Sequence, residues 1–276
     1  MLGAAYEVVR YELVAETLAP EEARRRSYPI LVARSRAPGG APEVPRPGVR
    51  PDEGHGTALV ELGGGVEDDE GFLELRVRPA LHGALQPVAG FPGDSTIRFL
   101  DTTLRFYPRT NRVRLEELVL FDLQSNTARD AFFKPVSWGM GTGLATRRFP
   151  GGGDLERGPV WRTAGNLGLT WQAGPLRLYG LAEARLEVGG DFDGGFALGP
   201  GLELGAELEV PGDRYEARLF ARGTRFLAGD RDTDLEIGLG QRLTLTRTTA
   251  AVAEFGGHHY DGESWWDARL SLQWTF

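Results

Sequence analysis

The chain contains no cysteine and no long apolar run, and each absence limits what the protein can be. Without cysteine, these 276 residues can form no disulfide, thiolate metal site or cysteine nucleophile. No segment approaches the roughly 18 consecutive apolar residues that a membrane-spanning helix requires. This absence does not exclude a membrane, because a barrel strand crosses a bilayer with about ten residues, half of them polar.

Basic charge is also scarce, since 31 lysines and arginines face 39 aspartates and glutamates, for a net charge of -8. Nucleic-acid binding requires a basic surface, and Arg24–Arg26 is only a short cationic run, so we expect no nucleic-acid partner. The N-terminal residues lack the basic start and the apolar centre of a signal peptide. If the protein is exported, we expect this sequence to be a piece of a longer chain.

The stretch from Trp265 to Phe276 alternates strictly between apolar and polar side chains. Successive side chains of a strand point to opposite faces, so this stretch has one apolar and one polar face. Aromatic residues at both ends, with small or aliphatic ones between, are typical of a strand that crosses a bilayer. The apolar positions are Trp266, Ala268, Leu270, Leu272, Trp274 and Phe276.

The same period of two holds from Thr57 onward and predicts about twelve strands, an even number as bacterial outer-membrane barrels require. The predicted fold is therefore all-β, an antiparallel transmembrane β-barrel preceded by a short helical segment. The predicted domains are a helical segment at 1–36, a proline- and glycine-rich linker at 37–56 and the barrel at 57–276. The strands are predicted near 57–65, 71–81, 95–107, 111–124, 136–148, 160–173, 175–189, 197–210, 214–228, 232–248, 250–260 and 263–276.

The polar face of these strands carries both signs of charge at high density. If the apolar faces contact lipid, the charged residues line a lumen, where neighbours on adjacent strands can pair. The inverted arrangement, with apolar faces inside, would give a soluble up-and-down barrel. We expect a lumen network of Glu74, Arg76, Arg78, Glu183, Arg185, Glu203, Glu207, Glu216, Arg218, Arg222, Glu236, Arg242 and Arg269.

All six tryptophans, Trp265 included, lie near predicted strand ends, where an interfacial aromatic belt would place them, and this favours the membrane interpretation. Two long connections, His82–Asp94 and Gln124–Pro135, fall on the same side as the short turns, and we expect them to form a docking surface for whatever precedes the chain. The predicted membrane-interface residues are Trp138, Trp161, Trp171, Trp266, Trp274 and Phe276.

Candidate catalytic and metal-binding residues are few. His55 lies in a segment rich in acidic residues and glycine, but a single histidine is a poor ligand set, and we expect a structural role. His258 and His259 point to opposite faces of one strand end. A hydrolase on the barrel wall would need Ser264 and an acidic partner near one of these histidines. We predict no catalytic residue, metal site or cofactor, and we leave open whether the chain is an enzyme.

Six segments resemble a family of uncharacterised Gram-negative envelope proteins: 11–13, 23–27, 31–36, 50–56, 72–79 and 129–135, the last reading Arg-Asp-Ala-Phe-Phe-Lys-Pro. The N-terminal periplasmic domain of that family is similar to the Lnb-type lipoprotein N-acyltransferases and carries a cysteine and histidines. No catalytic residue can be carried over, because this chain has no cysteine. The resemblance implies a barrel that accompanies a periplasmic acyltransferase-like or hydrolase-like domain, with residues 1–36 as a helical bridge.

Three functions therefore remain open. The first is an integral outer-membrane barrel that anchors, supports or provides a narrow conduit for a periplasmic domain of the same protein. The second is a free-standing passive porin, and the third is an outer-membrane lipid hydrolase. The expected partners are outer-membrane lipid, the upstream periplasmic domain and the barrel assembly machinery, which would recognise the C-terminal strand.

Overall fold

The computed structural model describes residues 2–37, 50, 53–88, 90, 91, 93–149, 156–192, 194–210 and 212–276. It divides into two units, Met1–Gly48 and Val49–Phe276. Most of the predicted linker lies outside the described residues.

The first unit is a pair of helices, α1 (Leu2–Val14) and α2 (Pro20–Arg36). Pro20 occupies the first turn of α2, where a missing N–H group costs nothing because that group has no partner inside the helix. The two helices pack through Val9 and Ala23, their buried residues. Among the described residues, no helix combines the length and the apolar character needed to cross a membrane.

The second unit is built from antiparallel strands. Its closed ring runs through twelve of them, and the pairing of the last strand with the first completes the ring. The predicted twelve-stranded antiparallel barrel is therefore confirmed. The strands are β1 (Leu59–Glu67), β2 (Glu70–Arg78), β3 (Ala80–His82), β4 (Ser95–Tyr107), β5 (Arg112–Ser125), β6 (Ser137–Phe149), β7 (Glu156–Ala173), β8 (Leu176–Val188), β9 (Phe196–Val210), β10 (Tyr215–Arg225), β11 (Ala228–Gly229), β12 (Thr233–Thr244), β13 (Thr249–Tyr260) and β14 (Glu263–Thr275). The short strands β3 and β11 lie outside the ring and pair with β4 and β9.

The seam of the barrel lies between β1 and β14, where Leu59 faces Thr275. Beyond the strand ends, Ala58 and Phe276 exchange two backbone hydrogen bonds, with N···O distances of 3.2 and 3.0 Å. A side chain at Gly56 would place its Cβ 2.1 Å from the Phe276 carbonyl carbon, so only glycine fits beside the C-terminus. The last residue of the chain is thus part of the closure.

The start of β1 and the end of β14 mark one end of the barrel, which we call the terminal mouth, and the opposite end is the far mouth. Because neighbouring strands are antiparallel, the β2–β4, β5–β6, β7–β8, β9–β10 and β12–β13 connections all lie at the terminal mouth. The turns there include Gly174 and Gly212, whose φ angles of 61° and 90° suit glycine. The short turns and the two long connections therefore share one end, as predicted.

Candidate functional site

Strand β2 shows which surroundings each face of the barrel meets. Leu73 and Val77 are 57% and 40% exposed, whereas Glu74 is 5% exposed. A soluble protein would bury the leucine face and expose the carboxylate. Here the arrangement is reversed, as in a barrel that presents its apolar face to lipid.

Other strands repeat this reversal. Leu178, Ile237 and Leu272 are each about half exposed, whereas Glu187 and Arg242 are fully buried. The predicted outward direction of the apolar faces is thereby confirmed. The second unit has the fold of an outer-membrane β-barrel, with its charged side chains inside.

The thirteen charged residues predicted to line the lumen all face the interior, and each takes part in an ion pair. On the β1–β4 side, Arg105 Nε donates to Glu74 at 2.8 Å, and Arg269 pairs with the same carboxylate. Arg76 holds Asp101 through two hydrogen bonds of 2.8 and 2.6 Å, a bidentate arrangement.

The opposite wall carries a second network. Arg185 donates to Glu183 at 2.8 Å and to Asp234 at 2.7 Å, and Arg222 donates to Glu236 at 2.9 Å. These pairs link β8, β10 and β12 across the interior. The attraction between the paired charges offsets part of the free-energy cost of removing each charge from water.

Nearer the terminal mouth the wall continues with three further groups of pairs. Arg218 Nη2 donates to Tyr179 at 2.9 Å and to Glu203 at 3.3 Å. The other pairs are Arg177 with Glu207 at 2.8 Å, and Arg242 with Asp213 at 2.7 Å and Glu216 at 3.1 Å. The wall is therefore ion-paired over most of its height.

Several members of the network were missed in the sequence. Asp101 and Arg105 lie on β4, where Phe99 and Leu100 are both exposed and Leu100 has a φ of 49°. The alternation changes phase at Leu100, so a strict period of two assigns the wrong face to part of the strand. The missed lumen residues include Glu61, Glu67, Arg98, Asp101, Arg105, Arg114, Arg147, Arg148, Arg157, Arg162 and Asp234.

A chamber of about 530 Å³ lies inside this wall. Small residues such as Gly141, Gly143 and Ala164 leave space on one side, while Arg218 and Glu203 project from the other. The chamber therefore offers both positive and negative groups to a small polar solute.

The segment between β3 and β4, which we call the plug segment, reaches across the terminal mouth with its described residues, 83–88, 90, 91, 93 and 94. Leu85 is buried against β12, since a Cβ at Gly240 would lie 2.4 Å from its side chain. On β8, Arg177 Nη1 donates to the Gly93 carbonyl at 2.7 Å. Because β12 and β8 are separated around the ring from β2 and β4, these contacts bridge the opening.

The plug segment is also tied to the strands beside its own start. Arg78 Nη2 donates to Gln86 at 2.6 Å, and both side chains are 1% exposed. Phe91 stacks on His55 and His82, with ring centroids 4.5 and 4.9 Å apart. The role expected for His55 was structural, and its ring lies in this stack at the entrance to β1.

The far mouth is narrowed by a different device, an apolar cluster inside the barrel. Its buried members are Phe149, Val160, Phe192, Ala197, Phe226 and Tyr260, and Trp265 packs against them. The Arg147 guanidinium lies 3.8 Å from the centre of the Tyr260 ring, a cation–π contact. Trp265 thus points inward, and the prediction that every tryptophan belongs to the interfacial belt is wrong for this residue, whose ring also stacks on His258.

The other aromatic residues predicted at the interface are 40–64% exposed and lie at two levels. Trp161 and Trp266 lie toward the far mouth, and the terminal-mouth set is Trp138, Trp171, Trp274 and Phe276. Trp266 and Trp274 are eight residues apart on β14, which corresponds to about 26 Å along the strand. Because the strands of outer-membrane barrels are tilted by about 35–45°, this separation corresponds to about 20 Å along the membrane normal, which is most of the apolar band of about 25 Å.

The candidate histidines near the far mouth do not form a catalytic triad among the described residues. His258 Nε2 lies 3.0 Å from Asp267, and His259 Nδ1 lies 2.8 Å from Ser264 Oγ, so the acid and the serine are held by different imidazoles. The two histidines occupy adjacent positions of β13 and therefore opposite faces, as predicted. Within the described part of the chain, no three histidine, aspartate or glutamate side chains are placed to hold a metal ion.

Comparison with known proteins assigns the family. The profile of the domain of unknown function DUF7840 matches residues 48–274. The chain belongs to the DUF7840 family. The DUF7840 match begins ahead of β1 and ends within β14, so it spans the whole barrel. No curated protein matches the chain.

The solved structures of similar fold include three porins. The chain resembles the NanC porin, with 10% identity, a TM-score of 0.46 and coverage of 79% of this chain and 100% of that one. It also resembles the KdgM porin, with 9% identity, a TM-score of 0.43 and coverage of 79% of this chain and 99% of that one. The third is the anion-selective porin from Comamonas acidovorans, with 13% identity, a TM-score of 0.36 and coverage of 81% of this chain and 98% of that one.

Proposed function

We propose that this chain is an integral outer-membrane barrel that anchors and supports a periplasmic domain of the same protein, with a lumen that is at most a narrow conduit. The observation that carries the proposal is the plug segment, which crosses the terminal mouth on the side where the chain enters the barrel. The helices α1 and α2 precede that entrance in the sequence and are suited to the role of a bridge.

The ion-paired wall supports the same proposal. A wide pore needs side chains that leave an open, hydrated path, whereas the arginines here are held by carboxylates on neighbouring strands. In this role the lumen network keeps the barrel rigid. The kind of domain we propose, acyltransferase-like or hydrolase-like, rests on the sequence resemblance alone.

The lipid boundary and the assembly machinery complete the set of proposed partners. Outer-membrane lipid would contact the exposed leucine and valine side chains between the two aromatic levels. The C-terminal strand, with Trp274 and Phe276 both outward, would be the segment that the barrel assembly machinery recognises.

A passive porin is the second candidate, and the chamber of about 530 Å³ is the observation in its favour. The lipid-hydrolase alternative rests on the contact between His259 and Ser264 on the outer wall. It lacks an acidic group hydrogen-bonded to His259 among the described residues, so the imidazole has no carboxylate to orient it.

Conductance across a planar bilayer separates the two main candidates. We expect the refolded chain to give no steady open current, because the plug segment covers the terminal mouth. The double variant Leu85→Ala/Gln86→Ala removes the contacts of the plug segment to β12 and Arg78, and we expect it to open stepwise currents.

The matched control is Leu270→Ala, which shortens an outward-facing side chain and should leave the bilayer silent. Steady steps of open current from the unaltered chain would favour the porin. A silent double variant would show that the plug segment is not what closes the lumen.

A further inference from the structure

The β5–β6 connection, residues 126–136, presents two neighbouring aromatic side chains at the terminal mouth. Phe132 and Phe133 are 88% and 66% exposed. A solitary exposed apolar residue is ordinary, but two adjacent phenylalanines left in water are unfavourable and indicate a contact surface.

The backbone fixes this exposure. The Asp130 carboxylate accepts hydrogen bonds from the Phe132 and Phe133 N–H groups at 2.7 and 2.6 Å. These two donors hold the pKa of Asp130 below its usual value. Asp130 N–H also donates to the Phe133 carbonyl at 2.9 Å, so the turn is closed and presents both rings outward from a defined loop.

The loop is joined to the lipid-facing surface of the barrel. Arg129 N–H donates to the Thr170 carbonyl at 2.9 Å, and Arg129 forms a parallel bridge with Trp171. Trp171, Trp138 and Val136 are 51%, 43% and 56% exposed at the same end. The aromatic pair therefore continues the apolar surface of the terminal-mouth belt beyond the strands.

The basic residues beside the aromatic pair favour a lipid headgroup as the contacting partner. Lys134 directly follows the aromatic pair and Arg129 precedes it. Aromatic rings flanked by basic side chains suit the boundary between acyl chains and anionic headgroups, where rings enter the apolar layer and cations meet phosphate.

We propose that Phe132 and Phe133 insert into the phospholipid leaflet at the terminal mouth, at the level of the headgroup and acyl-chain boundary, and that Lys134 binds a lipid phosphate. The loop is then a second membrane contact, separate from the strands. It fixes the height and tilt of the barrel on the β5–β7 side.

A single labelled cysteine tests this directly, because the natural chain has none. The Phe132→Cys variant, carrying an environment-sensitive fluorophore on Cys, is refolded into two kinds of vesicle. One is phosphatidylcholine alone, and the other is an equal mixture of phosphatidylcholine and phosphatidylglycerol. The reference sites are Leu270→Cys on the outward face of β14 and Thr110→Cys in an exposed turn at the far mouth.

We expect the label at 132 to show a blue-shifted emission and quenching by brominated lipid, intermediate between the labels at 270 and 110. The shift should grow with phosphatidylglycerol, and Lys134→Gln should abolish that growth. A label at 132 that is as accessible to water as the one at 110 in both vesicles would overturn the proposal and leave a protein as the occupant. An unchanged shift on adding phosphatidylglycerol would overturn the role of Lys134.

Discussion

Glu187 shows how much the interior depends on individual charges. Its carboxylate is fully buried, pairs with Arg147 and accepts a hydrogen bond from Arg162 Nε at 2.7 Å. We expect Glu187→Gln to lower the free energy of unfolding by about 3–5 kcal/mol, because two buried guanidinium groups lose their shared counter-charge. Denaturant unfolding in detergent micelles, followed by tryptophan fluorescence, measures the change.

Glu263→Gln is the matched control, since it makes the same chemical change at an exposed turn-flanking position. We expect it to change the free energy of unfolding by no more than about 0.5 kcal/mol. Equal stability of the two variants would mean that the pairing at Glu187 contributes nothing net.

At the scale of elements, the β13–β14 turn and the β10–β12 connection meet at the far mouth through two carboxyl groups. A hydrogen bond with Asp232, and then desolvation, raise the pKa of Asp261 to about 6 from 3.8. A raised pKa means that protonation favours this contact, so its stability is full below about pH 4 and is lost as pH rises through about 6. We expect cleavage at the exposed Arg231 to become faster across that range.

The ratio of cleavage rates between the unaltered chain and Asp261→Asn removes the pH dependence of the protease itself. Asparagine mimics the protonated carboxyl and tolerates the φ of 48° at this position. The ratio should be near one at low pH and rise as pH passes through about 6. A ratio that stays constant would show that the two carboxyl groups share no proton.

The sequence predicted the strands better than the contacts between distant ones. Alternation placed the apolar and charged faces of β2, β8, β12 and β14 correctly, because facing is a local property of a strand. Strand ends were predicted less well. The first strand was predicted to end at residue 65, but β1 continues through Gly63–Gly65 to Glu67. Glycine is needed there for packing rather than for a turn, because a Cβ at Gly65 would lie 2.6 Å from the Phe72 ring.

The plug contacts could not be predicted, since Leu85 reaches Gly240 across more than half of the chain. The inward turn of Trp265 depends in the same way on a cluster drawn from six other segments. The ion-pair partners of β4 were hidden by the change of phase at Leu100. Each of these features is set by long-range packing, which no local period encodes.

For the whole molecule, the decisive property is the medium that surrounds the outward face. Leu202 and Val210 lie on the same face of β9 and are 52% and 38% exposed, the first near the middle of the apolar band and the second at the strand end. In lipid, we expect Leu202→Arg to lower the free energy of unfolding by about 2–4 kcal/mol and Val210→Arg to lower it by about 0–1 kcal/mol. In water, both changes fall on an exposed surface and should cost little and about equally. Reversible folding into phosphatidylcholine vesicles, titrated with denaturant, measures both, and equal small costs would contradict a membrane-spanning barrel.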